Sequence, residues 1–195
     1  MDGITGCYSP GDKDLMQKIF LATGALQHRG KASAGLAVGG SKGIYVHKGV
    51  GGIVDVAEEE ILRTFQDLEP VAAIGNVGYT KNKIPEKRNA EPIQVKPRRD
   101  SRFTVVLTMN GRILEDDQLK AEMEDAYTFD TVNMTEVLGA LLHRCFEEQG
   151  VTFAAGRKLV DLLHGWGTFA FTALVHDGKE TALVALNDSR AFEPF

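Results

Sequence analysis

Cysteine is scarce in this 195-residue chain: Cys7 and Cys145 are its only two. They lack paired spacing, which excludes a disulfide framework and a cysteine zinc site and leaves both as small buried apolar residues. Positive charge is not in excess either. Lys and Arg total 22 against 27 Asp and Glu, a net charge of −5, so no nucleic-acid footprint is expected. The basic stretch Lys96, Arg98, Arg99, Arg102 is interrupted by Pro97 and Asp100 and reads as a solvated loop. No apolar run approaches the roughly 20 residues that a membrane helix needs. The opening MDGITGCYSPGDKD lacks the basic and apolar regions of a signal peptide. A cytoplasmic protein with neither membrane nor nucleic acid as partner is the expectation. His47, His143, His164 and His176 lie far apart without ligand spacing, so neither a metal site nor a cofactor is expected.

What is present describes a globular chain. Hydrophobic residues make up 43% and charged residues 25%, near the globular average, and the length suffices to bury a core. The 21 glycines imply tight turns and close backbone approaches. GITGCY (3–8) reads as a first strand stopped by Ser9-Pro10-Gly11. Asp12 is the expected N-cap of a helix over about 13–27, whose stripe is Leu15, Ile19, Leu21-Ala22 and Leu26. Strands at 34–39 and 43–50 form a hairpin around Gly39-Gly40-Ser41-Lys42. An acidic helix follows at about 57–66, then an apolar strand over 71–79 and an irregular polar connection over 80–93. A further strand, 103–111, ends in Asn-Gly. Helices near 115–124, 134–149 and 153–164 precede two closing β segments around Asp177-Gly178. Strands at both ends with helices in runs predict an α+β fold.

Five ordered segments say more. They are Met-Asp-Gly-Ile-Thr-Gly at the start, Leu26-Gln27-His28-Arg29-Gly30 with Ala32-Ser33-Ala34-Gly35, Ala73-Ile74-Gly75-Asn76-Val77-Gly78-Tyr79-Thr80, Asn89-Ala90-Glu91-Pro92, and Met109-Asn110-Gly111-Arg112-Ile113. Together they resemble the Met-Cys-Gly-Ile-x-Gly, LQHRG, IGHxRYxT, AQPF and HNGxI motifs of class II glutamine amidotransferases. Asn187-Asp188 and Pro194 are similar to that family's later RDPxGIRPL. The nearest pattern is the glutaminase domain of glutamine phosphoribosylpyrophosphate amidotransferase. The resemblance covers essentially the whole chain and implies one domain over residues 1–195, C-terminally short for the family. It implies a four-layer αββα sandwich of two antiparallel sheets, the N-terminal-nucleophile (Ntn) hydrolase fold. It also implies a chemistry. An N-terminal Cys attacks the glutamine carboxamide with its own amine as base, and an Asn side chain and the next Gly N–H stabilise the oxyanion. An Arg and an Asp hold the two ends of the substrate.

The chain departs from that pattern where the chemistry is done. The nucleophile position is Asp2, a carboxylate that does not replace a thiolate. Met1 is expected to stay on, because its removal requires a small second residue. The carboxylate-binding Arg falls at Gly78, which deletes a bidentate contact. The family His is Asn76, and the ammonium-binding Asp aligns with Met134. Arg29, Tyr79, Asn110 and Gly111 survive. Asn110-Gly111 reads equally as a β-turn closing a strand or as a vestigial oxyanion hole. In the second reading the Asn110 amide and Gly111 N–H bind the Asp2 carboxylate. Cys7 is an odd number of residues from position 2 and so points to the opposite face of its strand, a poor substitute nucleophile. The expected function is therefore a degenerate glutamine amidotransferase domain with no catalytic residues. It would serve as a binding, regulatory or partner-subunit scaffold for an unidentified small molecule. The alternative is an active glutaminase subunit supplying ammonia to a separate synthase or phosphoribosyltransferase chain. Since the chain stops at Phe195, an open sheet edge and hence a homodimer or a partner subunit are also expected.

Overall fold

A computed structural model describes residues 2–79 and 86–188, the side chain of Asp188 excepted. The expected irregular stretch falls partly, and Thr80 and Pro194 wholly, outside the described residues. The strands are β1 (Gly3–Tyr8), β2 (Ser33–Gly40), β3 (Gly43–Val50), β4 (Ala72–Gly78), β5 (Ile93–Gln94), β6 (Thr104–Ile113), β7 (Gly167–His176) and β8 (Thr181–Asp188). The helices are α1 (Leu15–Ala25), α2 (Ile53–Val56), α3 (Glu59–Gln66), α4 (Asp116–Met123), α5 (Thr135–Gln149) and α6 (Phe153–Leu162).

Two antiparallel four-stranded sheets are built from them, in the orders β1-β4-β2-β3 and β5-β6-β7-β8. The central strands β2 and β4 are buried along nearly their whole length, which explains why neither alternates in sequence: both of their faces are covered. On one side Ala37, Ala72, Ile74, Val106 and Leu174 form a layer between the sheets. On the other, Leu15, Met16, Ile19, Ile53 and Phe65 pack α1 to α3 against the first sheet. Leu107, Met123, Leu138, Leu142, Phe146, Leu159 and Phe171 pack α4 to α6 against the second. The result is the α+β, four-layer αββα sandwich. Truncating a fully buried member such as Leu138 costs about 2–5 kcal/mol.

The first strand shows how the pleat sorts residues. A Cβ on Gly6 would meet Thr172 and Leu183 of the opposite sheet, whereas Thr5 bonds Thr23 of α1 and Cys7 packs into the helix-side core. Cys7 therefore faces α1.

Four local expectations are corrected. Asp12 is not the N-cap of α1. Asp14 holds that position, while Asp12 accepts the Asp14 N–H and pairs with Lys18. The helix ends at Ala25, and Gln27–Arg29 form a separate 3-10 turn. The acidic helix is preceded by a short α2 that its four residues were too few to announce by periodicity. Asn110-Gly111 is no turn: β6 runs on to Ile113, with Asn110 paired to Ala170 and Gly111 to Phe169. Among the described residues no helix is long and apolar enough to cross a membrane, and no group of three His, Cys, Asp or Glu could hold a metal ion.

Candidate functional site

The chain segments that carry the ordered motifs converge beside the first residues of β1. The antiparallel register of β1 and β4 sets Gly3 opposite Val77, so Asp2 lies beside the end of β4. Its main-chain N–H donates to Asn110 Oδ1 at 3.2 Å. Its carbonyl accepts from Arg29 Nε at 2.9 Å. Its carboxylate Oδ1 accepts from the Tyr79 N–H at 2.8 Å. Asp2, Arg29, Tyr79 and Asn110 are thus directly joined. The carboxylate is held differently from the expectation. Asn110 meets Asp2 through the backbone, and the Tyr79 N–H takes the carboxylate, because the register carries the side chain of residue 2 towards residue 79.

Gly111 sits inside β6 with φ 145°, and a Cβ there would lie 2.3 Å from the Thr168 carbonyl oxygen. Glycine is required by both the backbone angle and the approach of β7. Gly78 has a different constraint. A Cβ would lie 2.6 Å from Ser33 Oγ and 3.3 Å from Asn76 Oδ1, so a side chain at 78 needs Ser33 to move. Met134, immediately before α5, turns its sulfur to the Ile113 N–H at 3.2 Å. This fastens the start of α5 to the end of β6.

The residue that ties these parts together is Glu91, which sequence reasoning did not single out. It is 4% exposed. Its Oε2 accepts from the Met109 N–H at 2.7 Å and from Asn76 Nδ2 at 3.3 Å. Its Oε1 accepts from Asn133 Nδ2 at 3.0 Å and from the Thr135 hydroxyl. One carboxylate therefore joins β4 of the first sheet, β6 of the second and the start of α5. Burial pushes its pKa up to about 7; the Asp2 charge adds to the rise, and the bonds from Thr135, Met109 and Asn133 work against it. A buried charge of this kind persists only when its lone pairs are satisfied. Next to it, Lys48 donates to the Ala90 carbonyl at 2.6 Å; burial lowers its pKa, and the Glu91 and Glu136 charges oppose that. Glu136, 5% exposed, accepts the Asp130 and Thr131 N–H groups and so shapes the loop before α5. The available signal for Glu91 was its motif, which carries Glu where the resembled family carries Gln.

Asn76 completes the floor of the site. It is 1% exposed, and its Oδ1 finds no hydrogen-bond partner among the described residues. Chemically the arrangement offers carboxylates, carboxamides and backbone donors. Among its described residues it has no thiol, no serine poised against a histidine and no metal-ligand cluster. The histidine that does meet a serine, His143 with Ser101 at 2.8 Å, is a residue of α5 within the helix-side packing. There the Ser101 oxygen is tied by the Phe103 N–H at 2.9 Å.

Comparison with known proteins accords with this architecture. A family model described as a glutamine amidotransferase domain matches residues 84–195, more than half of the chain. The amidophosphoribosyltransferase of Methanocaldococcus jannaschii is 29% identical over 195 residues, all of this chain and 39% of that protein. The isomerizing glutamine–fructose-6-phosphate aminotransferase of Halalkalibacterium halodurans is 31% identical over 189 residues, 97% of this chain and 29% of that protein. This chain thus spans well under half the length of these curated relatives. Among solved structures, one described as the allosteric regulatory enzyme of purine biosynthesis superimposes with a TM-score of 0.71 at 22% identity, over 96% of this chain and 37% of that one. The glutamine phosphoribosylpyrophosphate amidotransferase of B. subtilis complexed with ADP and GMP gives 0.67 at 23%, over 95% and 37%; at these identities the likeness is one of fold. With the matched family model spanning the second sheet and its helices, the chain belongs to the glutamine amidotransferase domain family.

Proposed function

We propose that this domain does not split glutamine and that its cleft binds a small molecule, as a regulatory or partner-subunit scaffold. The observation that carries the reading is the state of Asp2. Its N–H, carbonyl and carboxylate are engaged by Asn110, Arg29 and Tyr79. In the chemistry the resemblance implies, this position supplies both a thiolate and a free amine. Here it supplies a carboxylate, and with Met1 retained, as expected from the size of Asp2, its nitrogen is an amide. The Asn110 oxygen is directed at that amide, so Asn110 serves to fix the residue. Gly78 and Met134 offer no charge for the two ends of an amino acid. Cys7 supports the same reading, since it packs on the α1 side of its strand.

The relatives named as transferases and aminotransferases favour one second reading, a subunit that passes ammonia to a separate chain. The two separate on a covalent probe. A chloroketone analogue of glutamine, which alkylates an activated thiolate in a glutamine site, is incubated with the protein, and the intact mass is measured. We expect an unmodified chain that retains Met1. A chain that has lost Met1 and gained one adduct overturns the proposal.

A further inference from the structure

The Asn76 carboxamide, whose Oδ1 has no partner among the described residues, donates through Nδ2 to the Glu91 carboxylate, whose pKa burial raises to about 7. Asn76 Nδ2 donates to Glu91 Oε2 at 3.3 Å, longer than the 2.7 Å bond that the Met109 N–H makes to the same oxygen. The Asn76 Oδ1 is directed away, towards the space beside Gly78 and the Ser33 hydroxyl. An orphaned buried acceptor is unfavourable, so its orientation needs a cause. Ionised Glu91 supplies one, because a carboxylate accepts only donors.

We propose that Glu91 and the Asn76 carboxamide form a proton-operated polarity switch in the floor of the cleft. With Glu91 ionised, Asn76 gives its NH2 to the carboxylate and turns its oxygen, a buried acceptor, towards Gly78. When Glu91 takes a proton from solvent on Oε2, that oxygen becomes a donor that still accepts the Met109 N–H. The carboxamide then turns over, its Oδ1 accepts from Glu91, and its NH2 faces the cleft. Of the other partners, the Met109 N–H can only donate, the Asn133 carboxamide is held by its Oδ1, which accepts the Thr135 N–H at 3.0 Å, and the Thr135 hydroxyl lies on Oε1 and not on the oxygen that Asn76 meets.

The ligand class follows from the polarity and rests on reading the cleft as a binding pocket. Ionised, the floor suits a primary ammonium group; protonated, it suits a carboxylate or carbonyl. The charged groups that set the balance are known. Asp2 raises the proton affinity of Glu91. Lys48 feels Glu91 and Glu136, and Arg29 sits against the Asp2 carbonyl. The switch operates near neutrality because burial and Asp2 together place Glu91 there.

Nitrogen-15 NMR of the Asn76 side-chain NH2, titrated from pH 5.5 to 8.5, tests the switch itself. The expected result is a two-state shift with a midpoint near 7 that vanishes in Glu91→Gln. The same titration in Glu91→Gln, or none in the folded wild type, overturns the proposal. Should Glu91→Gln fail to fold, Asp2→Asn lowers the midpoint, and an unmoved midpoint overturns it instead. Methylammonium and acetate then test the ligand class. Methylammonium should bind about 30-fold more weakly at pH 5.5 than at 8.5, as the ionised fraction falls, and acetate should show the reverse trend. If neither ion shifts the resonance while the titration persists, the pocket reading fails and the switch stands.

Discussion

Replacing Glu91 by Gln should remove a pH dependence whose size follows from its burial. The carboxyl ordinarily titrates at 4.5 and is held at about 7 in the folded protein. Between those values the native state binds a proton that the unfolded chain has released. The group therefore stabilises the fold fully below 4.5, and that contribution disappears as the pH rises through 7. A shift of that size corresponds to about 3 kcal/mol in all, most of which lies between pH 5 and pH 8. Urea unfolding of wild type and Glu91→Gln at both values isolates the effect, because titrations of distant groups cancel in the difference. Relative to the variant, the wild type should lose about 2–3 kcal/mol on going from pH 5 to pH 8. That is roughly 1 M in urea midpoint at a slope of about 2 kcal/mol per M. The absolute level is not the test, since a Gln amide cannot accept at both of the carboxylate's ends. A difference that stays constant with pH refutes the account of Glu91 as a buried carboxylate in electrostatic contact with Asp2.

Other perturbations test other links. Gly111→Ala forces a Cβ to 2.3 Å from the Thr168 oxygen at a φ of 145° and should destabilise by at least about 2 kcal/mol, read as a lower thermal midpoint. Gly111→Asn sets the same Cβ at the same φ and should be no better. His143, buried between the Tyr127 hydroxyl and Ser101, has its pKa lowered chiefly by burial, with the Glu147 charge opposing. Its contribution is present above the ordinary histidine value and lost as the pH falls through the lower folded value. His143→Gln should therefore flatten the acid side of the stability curve. Cys145, fully buried with its thiol pushed up by burial, should stay unreactive to a thiol reagent in the native state, while half-buried Cys7 reacts first.

The sheets were legible because strands such as GITGCY and FTVVLTMNG carry strong β patterns, and the four layers were legible through the ordered motifs. Boundaries were less so. Asn110-Gly111 has the composition of a turn, yet β7 continues alongside it and supplies partners that keep it in the strand, so tertiary pairing overrode local preference. Asp12 looked like a cap because its residue type suits that role, but Lys18 and the Asp14 N–H claimed its side chain. In the site, the residues marked by departure from a motif were found at one end of the sheets. Glu91 and Asn133 were not foreseen. Their importance lies in contacts between segments 15 to 44 residues apart, which no spacing rule encodes. The bond from Tyr79 to Asp2 is likewise a consequence of the β1–β4 register.

The proposed reading is that residue 2, its backbone held by Arg29 and Asn110 and its carboxylate by the Tyr79 N–H, leaves this site unable to open an amide. Release of labelled ammonia and unlabelled glutamate from glutamine carrying nitrogen-15 in its carboxamide, followed by mass spectrometry at high protein concentration, tests it most directly. The account expects no turnover above the protein-free control, and none in Asp2→Cys, since Gly78 and Met134 still provide no grip on the substrate. Turnover by the wild-type chain that disappears in Asn110→Ala contradicts it.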